Sequence, residues 1–124
     1  MDYSLVYIAG LFDGEGDCQI QPYRATKNGK KYLRVVVRIT NTDRRCLDFV
    51  KENFGSGWVG LNSRKETHIV HKAKKDCYKF HLTNKKAVNL LKAIRPFLII
   101  KAEKVDRLLS ERHNGRAPQP IFGG

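Results

Sequence analysis

Along this chain, apolar residues recur first at helical spacing and then at alternating spacing, and the whole sequence of patterns occurs twice. Leu5, Ile8 and Phe12 share one side of a helix over 4–14 that Asp2 or Ser4 can cap and that Gly14 and Gly16 stop. From Asp17 to Tyr23 the period falls to two, with Cys18 and Ile20 on one face and Gln19, Gln21 and Tyr23 on the other. Asn28-Gly29 supplies the positive φ angles of a hairpin turn. Tyr32 to Asn41 then gives the most regular alternation in the chain: Leu33, Val35, Val37 and Ile39 face inward, and Tyr32, Arg34, Val36, Arg38 and Thr40 face outward.

The second half repeats the theme. Asp43 caps a helix to Phe54 that carries Leu47, Phe49 and Val50, and Gly55-Ser56-Gly57 ends it. A third strand runs from Trp58 to Arg64, and a charged loop through His68 and His71 leads to a fourth, Cys77 to Leu82, with Tyr78, Phe80 and Leu82 inward. Thr83 or Asn84 caps a helix over 85–94. After Pro96 a last helix runs from Phe97 to about Arg112 with Leu98, Ala102, Val105, Leu108 and Leu109 on its apolar side. Residues 1–113 read as one domain, and 114–124, rich in Gly and Pro, as a tail or linker remnant. The pattern predicts an α+β chain of order αββαββα with an extra C-terminal helix. Its two hairpins form a four-stranded antiparallel sheet with helices on one face and the other face open.

Charge changes what the open face means. Twenty-four Lys and Arg against twelve Asp and Glu give a formal +12, an excess that points to a polyanionic partner. No run approaches the ~18 apolar residues of a spanning helix, and the N-terminus lacks a signal peptide's basic start and apolar stretch. Cys18, Cys46 and Cys77 are odd in number and widely spaced, so neither a disulfide framework nor a zinc site is indicated and an intracellular location is expected. His68 and His71 lack the helical setting and further ligands of a zinc site. Trp58 and Tyr78 read as core or sheet-edge residues.

The outward strand positions collect Gln19, Gln21, Tyr23, Arg34, Arg38, Thr40, Asn62, Arg64 and Lys79. Arg, Gln, Asn and Thr can read base edges in the major groove, which is wide enough to admit a two-stranded ribbon. Arg24, Lys30, Lys31 and Lys72, in or beside the turns, suit phosphate contacts that orient without reading sequence. A solvated face normally mixes both signs of charge, yet no acidic residue falls between Gln19 and Arg38. Double-stranded DNA is the partner these residue types fit.

Binding alone gives no chemistry. The stretch Ile8-Ala9-Gly10-Leu11-Phe12-Asp13-Gly14-Glu15-Gly16 resembles the nine-residue LAGLIDADG motif, and the layout over about 4–112 resembles the fold of the LAGLIDADG homing endonucleases. Small residues at Ala9, Gly10 and Gly14 leave room for a second helix to approach closely. The resemblance implies that the motif helices of two copies pack together in a homodimer, with Ile8, Ala9, Gly10, Phe12 and Asp13 at the interface.

The resemblance further implies a divalent-metal-dependent DNA endonuclease that cuts both strands of a long pseudo-palindromic site, leaves short 3′ overhangs and acts at intron- or intein-insertion sites. Glu15 and the Gly14 carbonyl match the metal ligands, with Mg²⁺ as the cation and Mn²⁺ or Ca²⁺ able to take its place. Glutamate stands where the family name has aspartate, which lengthens the reach by one methylene. Lys101 matches a basic residue that stabilises developing charge, Asn41 a polar residue that orients water, and Arg44, or Arg45 one residue on, a basic position just after it. No membrane and no small-molecule cofactor is implied. An RNA-splicing maturase and a DNA-binding module without cleavage are the rival readings on the same fold.

Overall fold

A computed structural model describes residues 3–24, 31–62 and 76–115. Helix α1, Tyr3–Glu15, passes without a linker into strand β1, Gly16–Arg24. Gly16 is what permits this junction: it is buried, and a Cβ there would overlap the ring of Phe12, itself fully buried. Strand β2, Lys31–Asn41, follows, then helix α2, Arg44–Phe54. The ends of α2 are the ones its sequence predicts. The Asp43 carboxylate accepts from Arg45 N at 3.0 Å, and Gly55, at φ 86°, donates its N–H to Lys51 O at 2.8 Å.

Strands β3, Trp58–Leu61, and β4, Tyr78–Thr83, lead to helix α3, Asn84–Ile94. Thr83 occupies the cap position of α3 but makes no side-chain capping bond, and Asn84 enters the helix at φ 58°. A 3₁₀ turn, Arg95–Phe97, precedes helix α4, Ala102–Gly115. All strand neighbours are antiparallel in the order β1-β2-β4-β3. The inward faces of the strands, including Cys18, Val35, Val37, Ile39 and Phe80, pack with Ile8 and Phe12 of α1, Leu47 and Val50 of α2, and Leu90, Leu91 and Ile94 of α3 in one core. Among the described residues no helix is long and apolar enough to cross a membrane.

Two elements differ from the expectation. β3 stops at Leu61, although Asn62 N still donates to Cys77 O at 2.8 Å. The final helix starts at Ala102 rather than Phe97, because the 98–101 segment gives its donors elsewhere: Ile99 N and Lys101 N both bond the Asp13 carboxylate. The first helical bond follows, from Val105 N to Lys101 O at 3.0 Å. α4 continues to Gly115, past the limit read from the sequence.

Candidate nucleic-acid interface and acidic helix terminus

The pairing register lays out the open face of the sheet in rows. One row crosses all four strands, Asp17–Arg38–His81–Trp58; beside it run Thr40–Lys79–Gly60 and Gln19–Val36–Thr83, with Gln21 opposite Arg34 beyond. Asn62 follows on the same face of the β3 edge by alternation. Val36 is on this face yet only 1% exposed, and it does not belong to the core cluster. Its strand neighbours on the same side are Arg34 and Arg38, whose Nε atoms are themselves buried. Both arginines therefore lie along the sheet over an apolar floor, with the aliphatic stems covering Val36. Restricting the stems in this way lowers the entropy lost when a guanidinium group engages a ligand.

The acidic residue that opens the main row does not offset this charge on the open face, because the Asp17 carboxylate is paired with Lys104 of α4. At the other end Trp58, expected in the core or at an edge, lies on the edge strand at 51% exposure, its ring over Gly60 and the Lys79 ammonium 5.9 Å from the ring centre. Between them sits His81. Burial lowers the pKa of its imidazole from the usual value, and the charges of Lys79, Arg38 and Arg34 lower it further.

A second cluster forms where α1 ends. The Asp13 carboxylate accepts from Ile99 N at 2.7 Å and from Lys101 N at 2.9 Å. Lys101 Nζ donates in return to Asp13 O at 2.7 Å and Phe12 O at 3.3 Å, satisfying two carbonyls that the helix end leaves without intrahelical partners. Desolvation works to raise the Asp13 pKa, but the backbone N–H groups of Ile99, Lys101 and Ile100 and the Lys101 charge outweigh it, so the net shift is downward. Glu15, two residues beyond Asp13, is exposed and makes no hydrogen bond or ion pair with the described residues.

The pairing of Gly16 with Ile39 brings the end of β2 alongside this terminus. There Asn41 Oδ1 accepts from Asp43 N at 2.8 Å, forming the turn into α2. Arg44 Nε donates to both Asp48 oxygens at 3.1 and 3.3 Å, and its guanidinium lies 5.9 Å from the Tyr78 ring centre. The Cys46 thiol pKa is raised by burial first, then by Asp43 and Glu15, so Glu15 lies within electrostatic reach of the start of α2. Glu15, Gly14, Lys101, Asn41 and Arg44 thus occupy one end of the molecule. Lys101, Asn41 and Arg44 are each already engaged in holding a backbone turn or an ion pair.

The exposed side of α1 differs from the one assigned to it. Ile8, Ala9 and Phe12 have no exposed surface and belong to the chain's own core, so their side chains are not available to a second copy of the helix. The outward stripe is Tyr3, Val6, Tyr7, Gly10 and Gly14. A Cβ at either glycine would meet nothing within 4 Å. Asp13 is half-buried beside the stripe, held by the 99–101 backbone.

Of the other anticipated DNA contacts, Gln19, Gln21, Arg34, Arg38, Thr40, Asn62 and Lys79 share the open face. Tyr23, Arg24 and Lys31 are placed in their strands by backbone only, with Arg24 and Lys31 paired at the hairpin end. Lys30, Arg64 and Lys72, like His68 and His71, lie outside the described residues. His81 was absent from the anticipated set, although its place between the inward Phe80 and Leu82 puts it outward by simple alternation. Among the described residues no three of His, Cys, Asp and Glu come together in a metal-binding group.

This four-stranded antiparallel sheet, with helices behind it and an acidic helix terminus at one end, matches the fold of solved homing endonucleases. The homing endonuclease I-CvuI, solved in complex with its target in the presence of 2 mM Ca, matches with a TM-score of 0.71 at 16% identity, over 93% of this chain and 69% of that one. The archaeal intron-encoded homing endonuclease I-Vdi141I, complexed with DNA, matches at 0.63 and 22%, over 93% of this chain and 68% of that one. The homing endonuclease I-TnaI matches at 0.61 and 23%, over 96% and 80%. These neighbours are LAGLIDADG homing endonucleases. No protein-family profile and no curated protein matches the chain.

Proposed function

We propose that this chain is a site-specific DNA endonuclease of the LAGLIDADG kind, acting as a homodimer on a long pseudo-palindromic site with Mg²⁺ as its cation. The observation that carries the reading is the position of Glu15. An exposed carboxylate with no hydrogen-bond or ion-pair partner among the described residues ends the helix whose outer stripe is free of side-chain obstruction at Gly10 and Gly14, and the next residue begins strand β1 of the sheet.

The donor set tests the cation. One protomer offers the Glu15 carboxylate and, beside it, the Gly14 carbonyl, oxygen donors of the hard kind Mg²⁺ prefers but too few for an octahedral site. Two copies packed along the α1 stripes double the set, and that arrangement fits the cation where a single copy does not. Bound there, divalent metal supplies an activated water and neutralises charge on the phosphate. The protein's own residues do the rest. Asp13 and Lys101 fix the helix end from which Glu15 projects. Asn41 and Arg44 shape the neighbouring corner, where they contact water and phosphate. Arg34, Arg38 and Lys79, with Gln19, Gln21, Tyr23, Thr40 and Asn62, hold the groove, while Arg24, Lys30, Lys31, Arg64 and Lys72 bind the flanking phosphates. Homing at intron- or intein-insertion sites, with 3′ overhangs, follows from the family likeness.

Glu15→Gln tests the assignment, because it keeps the shape and removes the charge. Cleavage of a randomised-site library in Mg²⁺ is lost in the variant, while DNA affinity measured in Ca²⁺ is kept or improved. Wild-type protein that binds DNA yet cleaves no member of the library in Mg²⁺ or Mn²⁺ leaves a binding module in place of a nuclease. Tighter binding to structured intron RNA than to any DNA duplex favours the maturase reading.

A further inference from the structure

We infer that His81 reads a base directly, selecting a base with an exocyclic amino group (adenine or cytosine) at one position of each half-site. The inference rests on the DNA-binding reading above and goes beyond it by assigning a specificity to a residue outside the anticipated contact set. Around His81 the open face carries side chains that only donate, Arg34 and Arg38 on β2 and Lys79 on β4, while the amide and hydroxyl acceptors of Gln19, Gln21, Thr40 and Asn62 lie in other rows. In the row that crosses all four strands, Asp17 is committed to Lys104, Arg38 is a donor, and Trp58 has one N–H and no acceptor. His81 is the member of that row with both a ring N–H and a ring lone pair to offer, provided its imidazole is neutral.

Its surroundings keep it so. Arg38 and Arg34 from β2 and Lys79 from its own strand all disfavour a second proton, β3 presents only the uncharged Trp58, and Asp17 on β1 lies beyond Arg38 with its charge met by Lys104. β4 is one of the two inner strands of the sheet, so the ring sits near the middle of the face rather than at its rim. In the major groove an acceptor is what distinguishes the amino edges of adenine and cytosine from the acceptor-only edge of guanine. A neutral His81 among fixed donors supplies that acceptor. A doubly protonated imidazole becomes a donor only, and its preference moves to guanine.

The experiment is selection of bound duplexes from a library randomised across the half-site, with full-length protein in Ca²⁺ and sequencing of the bound fraction. At pH 8 the wild type enriches adenine or cytosine at one symmetric position by about tenfold, within the range a good side-chain–base pair gives. His81→Ala flattens that position and keeps the preferences elsewhere, and His81→Lys turns it to guanine. Lowering the pH through the lowered titration range of the imidazole moves the wild type in the same direction at that position alone, an arm that needs no variant to fold. If the wild type enriches a site but neither His81→Ala nor the pH change alters any single position, the assignment of His81 fails and the DNA reading survives. A uniform loss across all positions in His81→Ala, with a native far-UV spectrum, makes His81 a structural residue and also overturns it. A wild type that enriches no sequence overturns both readings together.

Discussion

Replacing Asp13 with alanine removes the carboxylate that accepts from two backbone donors at once. Ile99 N and Lys101 N sit 2.7 and 2.9 Å from its carboxylate oxygens, across sequence separations of 86 and 88 residues. Hydrogen bonds to a charged group contribute about 1.5–3 kcal/mol each, and the half-buried setting argues for the low end, which gives roughly 3 kcal/mol for the pair. Asp13→Asn keeps one acceptor oxygen but turns an NH₂ group toward the other N–H, and is expected to lose about half as much or somewhat more. In urea, with a slope of about 1.5 kcal/mol per M for a chain of this size, the alanine variant's midpoint falls by about 2 M. The effect is also pH-dependent, with a definite sign. Asp13 titrates below its ordinary value in the folded protein, so its contribution is whole above the unfolded carboxyl's pKa of roughly 3.9 and is lost as pH falls through the lower folded value. Unfolding curves of wild type and Asp13→Ala at pH 7 and pH 3 check both points. A midpoint unchanged at pH 7, or a gap that stays constant into acid, refutes the clasp as a source of stability.

Gly16→Ala drives a methyl group into the buried Phe12 ring and is expected to destabilise by about 1–3 kcal/mol in urea unfolding, although Gly16 carries no positive φ that would strain alanine by itself. Gly10→Arg puts a long cation on open helix surface, so the far-UV spectrum stays native while sedimentation velocity shows the proposed homodimer lost and the proposed cleavage lost with it. A dimer that survives this substitution places the α1 stripe outside the interface.

Much of the fold was legible because its sheet strands carry unambiguous signals. β2 alternates over its whole length, and α2 has a capping aspartate at one end and a left-handed glycine at the other. α1 was placed correctly but its faces were confused. It is apolar on nearly every side, with Leu5, Val6, Tyr7, Ile8, Leu11 and Phe12, so periodicity cannot separate the core-facing Ile8 and Phe12 from the exposed Val6 and Tyr7. The 98–101 segment fits a helix because Leu98 and Ala102 stand at helical spacing; what unwinds it is a carboxylate more than eighty positions away, which no local window contains. In the same way, Lys101 is visible as a residue type, but its bond to the Asp13 carbonyl depends on tertiary placement, whereas the Asn41 bond to the Asp43 amide is a local turn that a short window contains. His81 is legible from the alternation of β4, between the inward Phe80 and Leu82.

The passage from α1 to β1 has no slack. Helix ends on Glu15 and strand begins on Gly16, so the carboxylate and the first outward side chains share one stiff stretch of backbone. Gln19 lies four residues beyond Glu15, about 13 Å along an extended strand. Any molecule seated on the sheet is thereby held at a set offset from that carboxylate, as a workpiece is by a fixed stop. Adding one residue at the joint would do more than lengthen the offset, because the pleat would also turn Gln19 and Gln21 inward and Cys18 and Ile20 out.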